Sequence, residues 1–243
     1  MSSAGQFARA ATSYWSERLP RLEKFVRAVN LEGSRFSPPI ASEGDPGRHA
    51  FIAELAFEMF RSEVAGRPST LAMAEARVSE RIAALAETPT EIAEANTEER
   101  KEVHKLRKAL SEFVSDHWPE KVIVNPRIAG CGKIDHAAAD LLIERRPVHS
   151  PFGTELERAS KLLFEVKSVE RPFRAADFRQ LIIYASLMSA EGGAPDAVGL
   201  VNPRRGTYFE CSLDELAMDT AGTSADDLLQ QIVYDISAPD LSQ

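Results

Sequence analysis

The chain has 243 residues, 44% hydrophobic and 27% charged, with a formal net charge of −8. That length suits one large domain or a core with a helical attachment, and no apolar run reaches the roughly 18 residues a membrane-spanning helix needs. Cys131 and Cys211 are its two cysteines, too few for a disulfide framework, a four-cysteine zinc site or an iron–sulfur cluster, and residues 1–6 lack a signal-peptide pattern, so a cytoplasmic protein with reduced thiols and no membrane partner is expected.

Residues 1–117 read as helical. Apolar spacing over 7–29 is helix-like, with Pro20 breaking it or opening a second helix. The stretch 33–47 holds Pro38, Pro39 and Pro46 and reads as a loop. A strong 3.6-residue period over 49–60 predicts a helix, and the Ala-rich stretch 70–86 predicts another. Thr88-Pro89-Thr90 punctuates, and Thr97-Glu98-Glu99-Arg100 reads as the capped start of a helix running to about residue 117. From Lys121 the period turns strand-like. Strands are expected over 122–124 and 139–144, with Arg127-Ile128-Ala129 leading to a Gly130-Cys131-Gly132 turn between them. A loop over 145–160, a third strand over 162–168 and a helix over 177–190 follow. Two short strands, 197–201 and 206–211, and a helix over 225–236 complete the chain.

The third strand, Leu162-Leu163-Phe164-Glu165-Val166-Lys167-Ser168, is apolar enough for the middle of a sheet. Alternation puts Glu165 and Lys167 on one face and Phe164 and Val166 on the other. An unpaired charge there would cost several kcal/mol or more, so the two charges need a reason. One is a divalent cation on the carboxylate with the lysine facing an anionic substrate. Phosphodiester hydrolysis needs such a set: carboxylates to hold Mg²⁺ and a lysine to orient or deprotonate water and offset phosphate charge. Asp140, opening the preceding strand, would complete it if the strands are neighbours. Asp135 in Gly132-Lys133-Ile134-Asp135 competes for the same role. Net acidity excludes a generic basic nucleic-acid coat domain, yet 118–206 carries 13 basic and 11 acidic residues, and bound metal reverses the field of an acidic cluster.

In this order, Asp140, Glu165-Val166-Lys167 and the helix segment Asp177-Phe178-Arg179-Gln180-Leu181-Ile182-Ile183-Tyr184 resemble the PD-(D/E)XK nuclease superfamily. Gln180-x-x-x-Tyr184 is similar to the helix motif of its RecB-like exonuclease branch. The resemblance covers roughly residues 118–210. It implies an α/β restriction-endonuclease-like core, a mixed central sheet flanked by helices, over 118–243 with an N-terminal helical region over 1–117. It further implies a metal-dependent endonuclease or exonuclease in which Asp140 and Glu165 bind Mg²⁺ or Mn²⁺ and Lys167 serves catalysis. Gln180 and Tyr184, which share a helix face at i, i+4, would support the site or contact the DNA backbone. The substrate would be nucleic acid, expected to be DNA. A helicase, an ATPase or another subunit of a DNA-repair or anti-phage defence system would deliver it.

The interval from Asp140 to Glu165 is long for this family, which implies an insertion holding Pro147, Pro151 and Gly153. The branch often has a histidine ligand on an upstream helix, for which His49 in Gly47-Arg48-His49 is a candidate, Glu54 a second and Glu112 a minor one. Arg174, Arg179, Arg204 and Arg205 are candidate phosphate contacts. Simpler readings stand beside these. Glu165 and Lys167 could be an exposed pair on an edge strand, Asp135 a turn cap, His49 a solvated helix start, and Gln180 with Tyr184 a buried polar pair. The rival function is a catalytically inactive, nuclease-fold interaction subunit of a larger nucleic-acid-processing assembly.

Overall fold

The expected change from a helical to a strand-like period near residue 118 marks where most of the sheet begins. The computed structural model describes residues 3–9, 12–42, 45–85, 93–149, 155–157 and 160–238. Helices α1 (Ser3–Arg9), α2 (Thr12–Arg18) and α3 (Leu22–Glu32) lead to a short strand, β1 (Ser34–Arg35). A 3-10 turn, Pro46–Arg48, opens α4 (His49–Val64), followed by α5 (Leu71–Leu85) and α6 (Thr97–Asp116). Strands β2 (Pro119–Val124), β3 (Arg127–Cys131), β4 (Ile134–Ala138), β5 (Leu141–Arg145), β6 (Val148–His149), β7 (Glu155–Glu157) and β8 (Ser160–Val166) follow. Then come α7 (Ala175–Ala190), β9 (Ala197–Asn202), β10 (Thr207–Ser212), α8 (Leu213–Thr220) and α9 (Ala225–Ser237).

Six strands form one mixed sheet in the order β1-β10-β9-β8-β5-β2. Every pair is antiparallel except β8–β9, which is parallel. Parallel neighbours need a crossover, and α7 supplies it. Alternation sorts the two faces. Leu142, Leu163, Val198 and Leu200 meet Phe178, Leu181 and Ile182 of α7 in one core, which also takes in Trp15, Leu22 and Ile232. Leu141, Ile143, Leu162, Phe164 and Val201 meet Phe60, Leu110 and Phe113 on the other face. A smaller core joins α4, α5 and α6 through Ile52, Leu55, Val78 and Leu106. The chain is thus α/β, with a mixed six-stranded sheet between helical layers. Residues before 118 contribute a strand to the sheet and helices to both of its faces.

Several elements differ from the expectation. The glycine-rich segment is strand as well as turn: β3 and β4 form a hairpin closing at Gly132 and Lys133, and α8 lies between the last expected strand and helix. The stretch 145–160 holds two short paired strands, β6 and β7; Pro151 and Gly153 lie outside the described residues, as does Thr88-Pro89-Thr90. The cap of α6 sits one residue earlier than read. The Asn96 side chain accepts from the Glu98 and Glu99 N–H groups, and Glu99 accepts from the Asn96 N–H, so the first residue of the capping box is Asn96.

Gly199 shows how tightly β8 and β9 pack. A Cβ there would stand 2.2 Å from the Phe164 ring and 2.5 Å from the Phe209 carbonyl oxygen. Gly199→Ala is expected to cost about 1–3 kcal/mol through overpacking, read as a lower urea midpoint; an unchanged midpoint would show that the strand pair yields.

Candidate active site

The site lies where β5 starts and β8 ends. Leu141 pairs with Phe164, so the next step of the ladder sets Asp140 opposite Glu165. Antiparallel partners share a face, and here it is the face covered by α7. Asp140 Oδ2 accepts the Val166 N–H at 2.7 Å, and the Asp140 N–H faces the Glu165 carboxylate. Glu165 is 5% exposed. Its Oε1 accepts from Lys167 Nζ at 2.9 Å and from Gln180 Nε2 at 2.8 Å. The Gln180 amide is used at both ends: Oε1 accepts from Lys167 at 3.1 Å, and Nε2 also donates to the Tyr184 hydroxyl at 2.7 Å. Glu165 and Lys167 are therefore an interior pair, and Gln180 and Tyr184 hold it from the second and third turns of α7.

The helix start is fixed independently. Asp177 accepts the Arg174 N–H at 2.8 Å and takes both arms of Arg171 at 2.7 and 2.9 Å. After the strand, Lys167 N–H donates to the Val201 carbonyl at 2.7 Å, and Asn202 Nδ2 donates to the Val169 carbonyl at 2.8 Å. Asp177, Arg171 and Asn202 have no role in the sequence reading, although an Asp at the third helical position of α7 is itself a capping signal.

The electrostatics are those of crowded anions. Burial pushes the Asp140 carboxyl well above the usual carboxylate range, the Glu165 charge pushes it further, and Lys167 offsets part of this. Burial also raises Glu165, against the pull of Lys167. Glu54, on the helix across the sheet, adds to the upward push on Asp140, so its charge bears on the site. Among the described residues, Glu165 Oε2 is buried with no hydrogen-bond partner, which is costly for a carboxylate oxygen. A divalent cation beside Oε2 and Asp140 would relieve both the repulsion and the orphaned oxygen. Among the described residues no three His, Cys, Asp or Glu side chains form a metal-holding group. Two carboxylates still fit Mg²⁺, which retains several waters.

The remaining candidates separate. Asp135 is exposed on β4 in the hairpin outside the main sheet. His49 hydrogen-bonds through Nε2 to the Ser42 hydroxyl, in the loop before its helix. Two arginines proposed as phosphate contacts are structural. Arg179 is 9% exposed and lies over the Trp15 ring, 5.9 Å from its centroid, because that side of α7 faces the N-terminal helices. Arg204 is 2% exposed and pairs with Glu102 of α6 at 2.5 Å. Arg205 is half-buried and donates to the Glu170 carbonyl at 2.8 Å, while Arg174 is exposed at the start of α7. A cleft of about 1110 Å³ is lined by Phe36, His117, Arg145, Tyr208 and Glu210 and contains none of the site residues.

The raised carboxyls give a pH prediction. A carboxyl raised on folding lends stability below its unfolded pKa and loses it as pH rises through the folded value. The metal-free protein is therefore expected to lose stability from mildly acidic pH upward, while Mn²⁺, which needs both carboxylates ionised, gains affinity. At about 100-fold its Kd the ion should add about 2.7 kcal/mol, a melting shift of several degrees. The shift should be larger at pH 8 than at pH 5 and absent in Asp140→Ala; a shift surviving that substitution would place the ion elsewhere. No described helix is long and apolar enough to cross a membrane. No known family model matches the chain, and no curated protein matches it in sequence.

Proposed function

We propose that the chain is a Mg²⁺- or Mn²⁺-dependent nuclease with a restriction-endonuclease-like core, hydrolysing phosphodiester bonds in DNA. The observation that carries this reading is the convergence of Asp140 and Glu165 on adjacent strands, with Lys167 hydrogen-bonded to Glu165 and Gln180. Asp140 and Glu165 would hold the ion. When bound, it supplies Lewis-acid activation of water and neutralises charge on the phosphoryl group. Lys167 spends two of its three N–H groups on Glu165 and Gln180, which leaves one to orient the attacking water or a phosphate oxygen. Gln180 fixes both partners, so the ammonium is preorganised where negative charge develops. The apolar surroundings of β8 raise the value of each of these interactions.

Purified protein incubated with linear and circular DNA is expected to cleave with Mg²⁺ or Mn²⁺ and to be silent in EDTA, and Lys167→Ala should be inactive. Equal cleavage by wild type and Lys167→Ala would end the assignment. No cleavage together with no Mn²⁺-induced melting shift would favour an inactive interaction subunit.

A further inference from the structure

A second charged constellation lies beyond Glu54, on the helices across the sheet. Glu58 is 1% exposed, yet three guanidiniums surround it. Arg61 Nη2 and Arg81 Nη1 reach Oε2 at 2.5 and 3.3 Å, and Arg77 Nη1 reaches Oε1 at 3.2 Å. Arg81 also binds Glu54 at 3.0 Å and Arg77 binds the Ser62 hydroxyl at 3.1 Å. One bidentate arginine would satisfy a buried carboxylate. Among the described residues, three positive charges on Glu58, with Glu54 beside them, leave the cluster an excess of one positive charge. The three side chains remain 38–45% exposed, and each guanidinium has five N–H donors, more than these contacts use.

Their placement is directional. Glu54, Glu58 and Arg61 follow one face of α4, and Arg77 and Arg81, four residues apart on α5, pack against it in antiparallel order. The row from Glu54 to Arg61 is about 10 Å long at 1.5 Å per residue. A row of partly exposed, oriented guanidiniums on a protein of net charge −8 suits a polyanion.

We propose that Arg61, Arg77 and Arg81 form a phosphate-binding ridge for a nucleic-acid strand, with Glu58 as the positioning residue beneath them. The inference rests on the nuclease reading for its ligand, but its test does not need cleavage. Full-length protein carrying Lys167→Ala is titrated in EDTA against a fluorescein-labelled single-stranded DNA oligonucleotide, and against RNA of the same sequence, by fluorescence anisotropy over a salt series. Arg77→Gln and Arg81→Gln should each weaken binding severalfold and lower the slope of log Kd against log salt by about 0.7, as for one lost phosphate contact. Arg77→Lys should keep the slope, and Arg146→Gln, whose partner Glu120 is on β2, should change nothing. Loss on either strand type supports the ridge. Unchanged affinity and slope in folded Arg77→Gln and Arg81→Gln proteins would overturn it, leaving these arginines as the neutralising shell of Glu58. Because no hydrolysis is read, that outcome leaves the nuclease assignment standing, and an inactive wild type leaves the binding result standing.

Discussion

Asp140→Asn is expected to reduce metal-dependent cleavage by about 10²-fold or more while raising the melting temperature of the metal-free protein at pH 8. Loss of one preorganised electrostatic group commonly costs 10²–10³ in turnover, and here the group would also hold the ion. The opposite sign on stability follows from the crowding. The Asp140 carboxyl is pushed up by burial and by Glu165, so its ionised form works against the fold. Asparagine keeps an oxygen for the Val166 N–H, which Asp140 accepts at 2.7 Å, and removes the repulsion. Gain of stability with loss of activity would mark the proposed site as one strained for function. Cleavage rates within twofold of wild type would sink the role of Asp140. A melting temperature several degrees below wild type would show that the carboxylate is structural.

Arg204→Ala and Glu102→Ala should each destabilise by about 3–5 kcal/mol, because each removes one partner of a buried ion pair. Both partners are nearly inaccessible and stand 2.5 Å apart. Arg204 also lies 3.4 Å from the Ser168 carbonyl through Nε, and its own carbonyl accepts the Ile40 N–H at 2.8 Å. One residue thus joins α6, the end of β8 and the segment after β1. Replacing both by apolar residues of similar volume should cost much less than either single change. Urea unfolding of the two single variants and a double variant would measure this; single costs below about 1 kcal/mol would show that water reaches the pair.

The site was readable in the sequence where its geometry is local. Alternation along β8 places Glu165 and Lys167 together, and a four-residue helical step places Gln180 and Tyr184 together; neither depends on the rest of the chain. Choosing Asp140 over Asp135 needed only the start of an apolar strand. The arginines failed for a complementary reason. Whether Arg179 or Arg204 meets phosphate or protein depends on Trp15 and Glu102, which are far away in sequence, and no local pattern records that. The hairpin of β3 and β4 was hidden because Gly130 reads as a turn. It is a strand residue whose missing Cβ leaves room for the Ile134 and Asp135 backbone, with the Ile134 carbonyl oxygen 1.9 Å from where that Cβ would be. The Arg77 and Arg81 pair did carry a signal, a repeat at the same helical interval as Glu54 and Glu58 on the preceding helix.

The pairing of β5 with β8 carries a consequence for how the protein matures. Sliding one strand past the other by a single residue would turn Glu165 toward Phe113 and send Phe164 to the α7 side. Only the correctly aligned strand pair presents two carboxylates to the same point, so the divalent-ion affinity proposed for them would report strand alignment directly. Slow refolding followed by the onset of Mn²⁺ affinity would time the locking of that alignment separately from collapse of the hydrophobic layers.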